Sequence, residues 1–88
     1  MSIKIEFSKH ARRQMRERNL REQVIIDVLE KPQQVLESSK GRKVAQKIFE
    51  EANRKFLIRV IFSEEGDTDK VITVYLTSKI DKYGREGK

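Results

Sequence analysis

The sequence predicts an α+β domain in which two N-terminal helices pack on an antiparallel sheet of about four strands, with an optional short strand ahead of the helices. Three observations carry this. Apolar residues recur at helical spacing between positions 9 and 30. Beyond position 34 they alternate with the two-residue period of strands. Lys31-Pro32 separates the two regimes, because proline disfavours helical geometry in the residue before it. No linker, repeat or low-complexity tract interrupts the chain, and 88 residues suffice for one hydrophobic core but not two. Residues 1–88 therefore read as a single domain, with 83–88 as a flexible tail.

The elements follow in order. Ile3, Ile5 and Phe7 alternate with Lys4 and Glu6, the pattern of a short half-buried strand. Ser8 stands at a helix N-cap, where its hydroxyl accepts a free backbone N–H. A first helix is expected over 9–18, with Ala11 and Met15 as its apolar stripe, and Asn19 ends it by tolerating the left-handed conformation. A second helix is expected over 21–30. Its wide stripe of Val24, Ile25, Val28 and Leu29 makes it the more deeply buried of the two. Strands are then expected at 34–37, 43–49, 55–63 and 70–77, joined by a turn at 38–42, a polar connection at 50–54 and an acidic loop at 64–69. In the third of these strands Phe56, Ile58, Val60 and Phe62 share one face, and Leu57, Arg59 and Ile61 the other. In the fourth, Ile72, Val74 and Leu76 share one face, and Thr73, Tyr75 and Thr77 the other. A hairpin centred near Asp67 aligns the apolar sets and sets Arg59 beside Tyr75 on the outer face.

Composition narrows the function classes. Apolar residues make up 36% of the chain, enough for a modest core, and 39% charged residues suit a soluble surface. No stretch approaches the ~20 apolar residues of a membrane helix, and the alternating N-terminus lacks the apolar block of a signal peptide. The cytoplasm is the default location. The net charge of +6 is unevenly spread: residues 1–21 hold seven basic against two acidic residues, which leaves only +1 for the remainder. Such concentration favours a polyanionic or acidic partner, such as nucleic acid, the ribosome or an acidic protein segment.

One histidine and no cysteine argue against a metal site, and no glycine-rich phosphate loop is present, so no cofactor is expected. The acidic loop at 64–69 lacks the spacing of a calcium loop and reads as a solvated turn. Lys9, Arg12, Arg13 and Arg16 fall on one arc of the first helix and could track phosphates, as could Arg42 in the turn. The plainer alternative is a solvated helix face with an Arg13–Glu17 ion pair. His10 flanks that arc. It is a candidate general acid or base, or a local hydrogen-bonding group that locks the helix start onto the sheet. Arg59 and Tyr75 on the outer sheet face form a third group, with Lys79, Lys82, Tyr83 and Arg85 in the tail. Such a groove suits metal-free RNA cleavage, in which the 2′-hydroxyl attacks its own phosphate, cations stabilise the developing charge, and a tyrosine or lysine moves a proton. The alternative is a solvent-facing sheet with Arg59 snorkelling.

Two stretches also resemble a known family. His10-Ala11-Arg12-Arg13-Gln14-Met15-Arg16-Glu17-Arg18-Asn19-Leu20, followed by Val24, Val28-Leu29 and Pro32, resembles the opening of a family of small bacterial proteins of unknown function. Those proteins begin with a helix of the form His-Ala-x-x-Arg-Met-x-Glu-Arg-Gly-Ile. The ending, residues 71–83, resembles the same family's last strand and tail, and Gly41-Arg42 fits its hairpin. Gln14 and Asn19 depart from the pattern, standing where the family has arginine and glycine. In layout the family is similar to RelE/BrnT-type toxins, which implies a curved antiparallel sheet and a toxin–antitoxin endoribonuclease that needs no metal and is held inactive by an antitoxin. No strict catalytic motif transfers, so Arg59, Tyr75, Lys79 and Tyr83 stand as candidate catalytic residues from their position on the sheet and in the tail. The resemblance implies an RNA or ribosome target and an antitoxin-like protein partner. The second histidine that ends the toxin signature is missing. A non-catalytic RNA- or protein-binding module on the same fold is the alternative expectation.

Overall fold

The computed structural model describes residues 4–78. Its elements run β1 (Lys4–Phe7), α1 (Lys9–Glu17), α2 (Glu22–Glu30), β2 (Gln34–Glu37), a single 3-10 turn (Ser39–Gly41), β3 (Arg42–Glu51), β4 (Arg54–Glu65) and β5 (Thr68–Thr77). The sheet has five strands in the order β1-β5-β4-β3-β2 and is mixed, which corrects the expected antiparallel sheet of about four strands. The extra strand is β1, which pairs in parallel with β5 from Lys4↔Thr68 to Phe7↔Val71. Alternation marked these residues as a strand but carries no information on partner or direction. The physical reason for the pairing is the open edge of β5, whose backbone groups β1 satisfies from Thr68 to Val71.

Local chemistry sets the helix ends. Ser8 caps α1, its Oγ accepting from the Ala11 N–H at 3.0 Å. The same hydroxyl donates to the Ile72 carbonyl at 2.9 Å, so one side chain both starts the helix and ties it to β5. Asn19 takes a positive φ of 56° and closes α1, as Leu20 N–H returns to the Met15 carbonyl at 2.7 Å. Ala11 and Met15 from α1, and Ile25 and Val28 from α2, pack on Ala45, Ile58, Val60, Phe62, Val71 and Val74 of the sheet. Each fully buried Ile or Val contributes about 1.5–3 kcal/mol. Lys47 on β3 donates to Asp27 of α2 at 2.7 Å, which fixes the second helix across the sheet.

The β3–β4 hairpin is tighter than expected. Its 50–54 connection shrinks to Ala52-Asn53, both at positive φ (53° and 64°), the signature of a two-residue turn whose twist matches its strands. The β4–β5 loop also shrinks. Glu64, Glu65, Thr68 and Asp69 are paired strand residues, and Asp69 is only 8% exposed, so the acidic stretch is not the solvated turn that its composition suggested. A register shift interrupts this pair. Ile61 faces Thr73, Phe62 faces Val71, and Ile72 is the extra residue. Val71, not Ile72, therefore shares the core face with Val74.

Candidate nucleic-acid interface

Strand parity assigns the two faces of the sheet. Ala45, Ile58, Val60 and Val74 lie under the helices, so their neighbours along each strand point to the opposite side. On that side Arg59 is the cross-strand partner of Tyr75, Gln46 the partner of Arg59, and Gln34 the partner of Gln46. Four adjacent strands thus contribute one row of polar side chains, about 14 Å long at ordinary strand spacing. Apolar residues border it, among them Val44 and Leu57, themselves buried. Gln46 is 3% exposed, and its Nε2 donates to Gln34 Oε1 at 2.7 Å. Gln46 Oε1 has no hydrogen-bond donor among the described residues. Arg59 is half-buried and Tyr75 is exposed. With Leu76 and Thr77 these two bound a recess of about 420 Å³. Arg42 opens β3 on the same face, opposite Ser63, roughly 13 Å along the strands from Arg59.

The basic arc is elsewhere. Lys9, Arg12, Arg13 and Arg16 are all exposed and line a separate recess of about 520 Å³ beside Met15, Leu20 and Glu22. Arg12 is held there: its Nη1 is 2.8 Å from Glu22 Oε2, and its guanidinium lies 5.0 Å from the Phe7 ring centre. The expected Arg13–Glu17 pair does not form, since the carboxylate that answers this arc comes from α2. Because α1 covers the core face, its cations lie across the sheet from Arg59 and Tyr75. His10 is exposed on α1, and Ser8 performs the locking considered for it. The structure thus brings together Arg59 and Tyr75, with Arg42 on the same face, and places Lys9, Arg12, Arg13 and Arg16 on a separate recess; His10 lines neither. Lys79 and Tyr83 lie outside the described residues. Among the described residues no group of three His, Cys, Asp or Glu side chains could hold a metal ion, and no helix is long and apolar enough to cross a membrane.

A family model described as a domain of unknown function, DUF4258, matches residues 7–76. The chain belongs to that family. No curated protein and no solved structure matches it. The match supports the family of unknown function suggested by the opening and closing motifs, and it does not extend to RelE/BrnT-type toxins.

Several polar residues of this DUF4258 chain matter in ways that sequence reasoning missed. Gln14 had stood out only as a departure from the motif. Its Oε1 accepts from the Val74 N–H at 2.8 Å and from the Thr73 hydroxyl. These bonds need an acceptor, which an arginine at this position would lack. Gln34 and Gln46 carried no signal, because a glutamine in a strand looks like any solvent-facing residue until its neighbours are known. At the far end of the sheet Lys43 binds Glu64 at 2.8 Å, and this hydrogen bond and the carboxylate's charge hold the ammonium above its ordinary range. Burial, and then the charge of Glu64, pushes the Asp69 carboxyl up, against a smaller lowering by Lys43.

Proposed function

We propose that this DUF4258 domain is an RNA-directed protein of toxin type that receives single-stranded RNA on the sheet face opposite α1 and α2. The observation that carries the reading is the cross-strand pair of Arg59 and Tyr75, a cation and an exposed phenol side by side at the end of a polar row. Arginine offers a planar fork to a phosphate, and a tyrosine ring offers a stacking surface to a base. In the catalytic form of the proposal the chain is a metal-independent endoribonuclease. The 2′-oxygen attacks the adjacent phosphorus, the bond to the 5′-oxygen breaks, and a 2′,3′-cyclic phosphate and a 5′-hydroxyl result. Arg59 stabilises the charge on the phosphoryl oxygens and Tyr75 moves a proton. One observation favours the second reading, RNA binding without cleavage: the recess that Arg59 and Tyr75 bound has no histidine among its described lining residues, and histidine is the commonest general acid or base.

The test combines binding and cleavage. Arg59→Ala and Tyr75→Ala should each weaken binding of a single-stranded RNA on the order of tenfold, the scale of one charge-assisted contact or one stacked base. Circular dichroism confirms that each variant is folded. The salt dependence identifies the face. Arg59 with Arg42 engages one or two phosphates, a slope of about −0.7 to −1.4 in log K against log salt, whereas the four cations of α1 would give about −2.8. Induction in a bacterial host with transcripts followed over time then separates the two forms of the proposal. Wild-type affinity in both variants would remove the sheet face from consideration.

A further inference from the structure

A third recess, of about 720 Å³, lies on the helix side between the α1–α2 turn and the β3–β4 hairpin. Leu20, Val24, Phe49, Phe56 and Leu76, all half-buried, meet there around the buried Ile58. Leu20, Val24, Phe49 and Leu76 pack against the core, and with Phe56 their outer edges line one continuous floor. Its rims carry opposite charge. Arg18 and Arg21 stand on the helix turn, and Glu50 and Glu51 on the hairpin. All four are exposed, and none forms an ion pair with a described residue.

A groove with one cationic and one anionic rim is its own complement. Rotation of a second copy by a half-turn about an axis that runs along the groove sets each cationic rim against the other copy's anionic rim and encloses the two apolar floors. We infer that this groove is the contact between two copies of this chain, with Arg18 and Arg21 of each copy facing Glu50 and Glu51 of its partner. A nucleic acid would meet Glu50 and Glu51 as like charges. A uniformly acidic or basic protein would satisfy one rim and oppose the other. The contact meets the Arg59–Tyr75 recess only at Leu76, and those two side chains project from the other face of the sheet, so dimerisation does not depend on the function proposed above.

The test is a charge exchange read by sedimentation. At high micromolar concentration the wild-type chain should have twice its monomer mass of 10.4 kDa. The double variant Arg18→Glu/Arg21→Glu has two acidic rims, and Glu50→Arg/Glu51→Arg has two basic ones. Each alone should fall to the monomer mass. Mixed in equal amounts, they should return to the dimer mass as a heterodimer. Circular dichroism controls for folding, and all four positions are exposed. A wild-type monomer at every concentration overturns the inference, as does a dimer that survives both exchanges. Two monomeric variants that fail to pair when mixed overturn the two-fold arrangement of the rims.

Discussion

Replacing Gln14 with leucine tests how α1 is joined to the sheet. β1 covers β5 only as far as Val71, so further along, the outer edge of β5 would present bare backbone donors. Gln14 reaches from α1 to that edge and accepts from the Val74 N–H and the Thr73 hydroxyl. Leucine fills similar space and accepts nothing. Val74 is fully buried, so its stranded N–H costs about 1–3 kcal/mol. Thr73 loses one hydrogen bond, about 0.5–1.5 kcal/mol, moderated by rotation of its hydroxyl. Added apolar burial by leucine returns less than about 1 kcal/mol. The expected loss is about 2–3 kcal/mol, a large part of the ~5–15 kcal/mol typical of a domain. Urea denaturation should show the midpoint falling with an unchanged slope. Amide exchange at Val74 should lose about ten- to hundredfold protection, the equivalent of that energy at one site. Gln14→Glu keeps an acceptor oxygen and should lose much less. A leucine variant within about 0.5 kcal/mol of wild type, with the Val74 amide as protected as before, would refute the reasoning.

Three further outcomes follow from the same geometry. Ser8→Ala removes both the N-cap and the bond to the Ile72 carbonyl and should cost about 2 kcal/mol by thermal denaturation, whereas Ser8→Asp restores only the cap and recovers about half. Ala52 holds φ at 53°, a left-handed geometry that costs a side chain about 1–2 kcal/mol; Ala52→Gly should raise stability by up to about 1 kcal/mol once glycine's greater unfolded freedom is subtracted, and an unchanged urea midpoint would contradict this. Asp69 holds its proton more tightly when folded than when unfolded, so its favourable contribution is full below the ordinary value of 3.8 and is lost as pH rises through the raised folded value. Asp69→Asn should therefore be more stable than wild type at pH 7, and the difference should close on acidification; a difference that stays constant with pH would count against burial as the cause.

What the sequence revealed was local. Both helices lie within one residue of their expected bounds, because capping by Ser8, the left-handed Asn19 and Pro32 are all signals confined to a few positions. The faces of β4 were legible for the same reason, since alternation is a property of one strand. The sheet as a whole was misjudged because its order depends on edges that meet across the chain. β1 joins β5 over more than sixty residues, and nothing in Lys4–Phe7 names that partner. Asp69 shows the same limit in a side chain. An acidic run with a glycine reads as a loop, yet the turn is only Gly66-Asp67, and strand pairing carries Asp69 under neighbouring residues. The basic arc of α1 was visible as charge, but its position across the sheet from Arg59 is a property of the packing.

The pairing of Arg59 with Tyr75 shows how the helix and the sheet face depend on one another. Starting from Glu65↔Thr68, an uninterrupted ladder would bring Arg59 opposite Val74 and Ile61 opposite Ile72, mixing the core side with the outer side. The extra residue at Ile72 shifts the register by one and restores both faces, which places Tyr75 beside Arg59. An irregularity of this kind leaves backbone groups without their ladder partners, and here α1 and its cap supply bonds around it. Ser8 N–H donates to the Val71 carbonyl at 3.0 Å, Ser8 Oγ donates to the Ile72 carbonyl, and Gln14 accepts from Thr73 and Val74. Four consecutive residues of β5 are thus held by two residues at the start and middle of one helix. The first helix therefore serves the opposite face of the sheet through register, a role that would persist if every cation on its exposed arc were neutral.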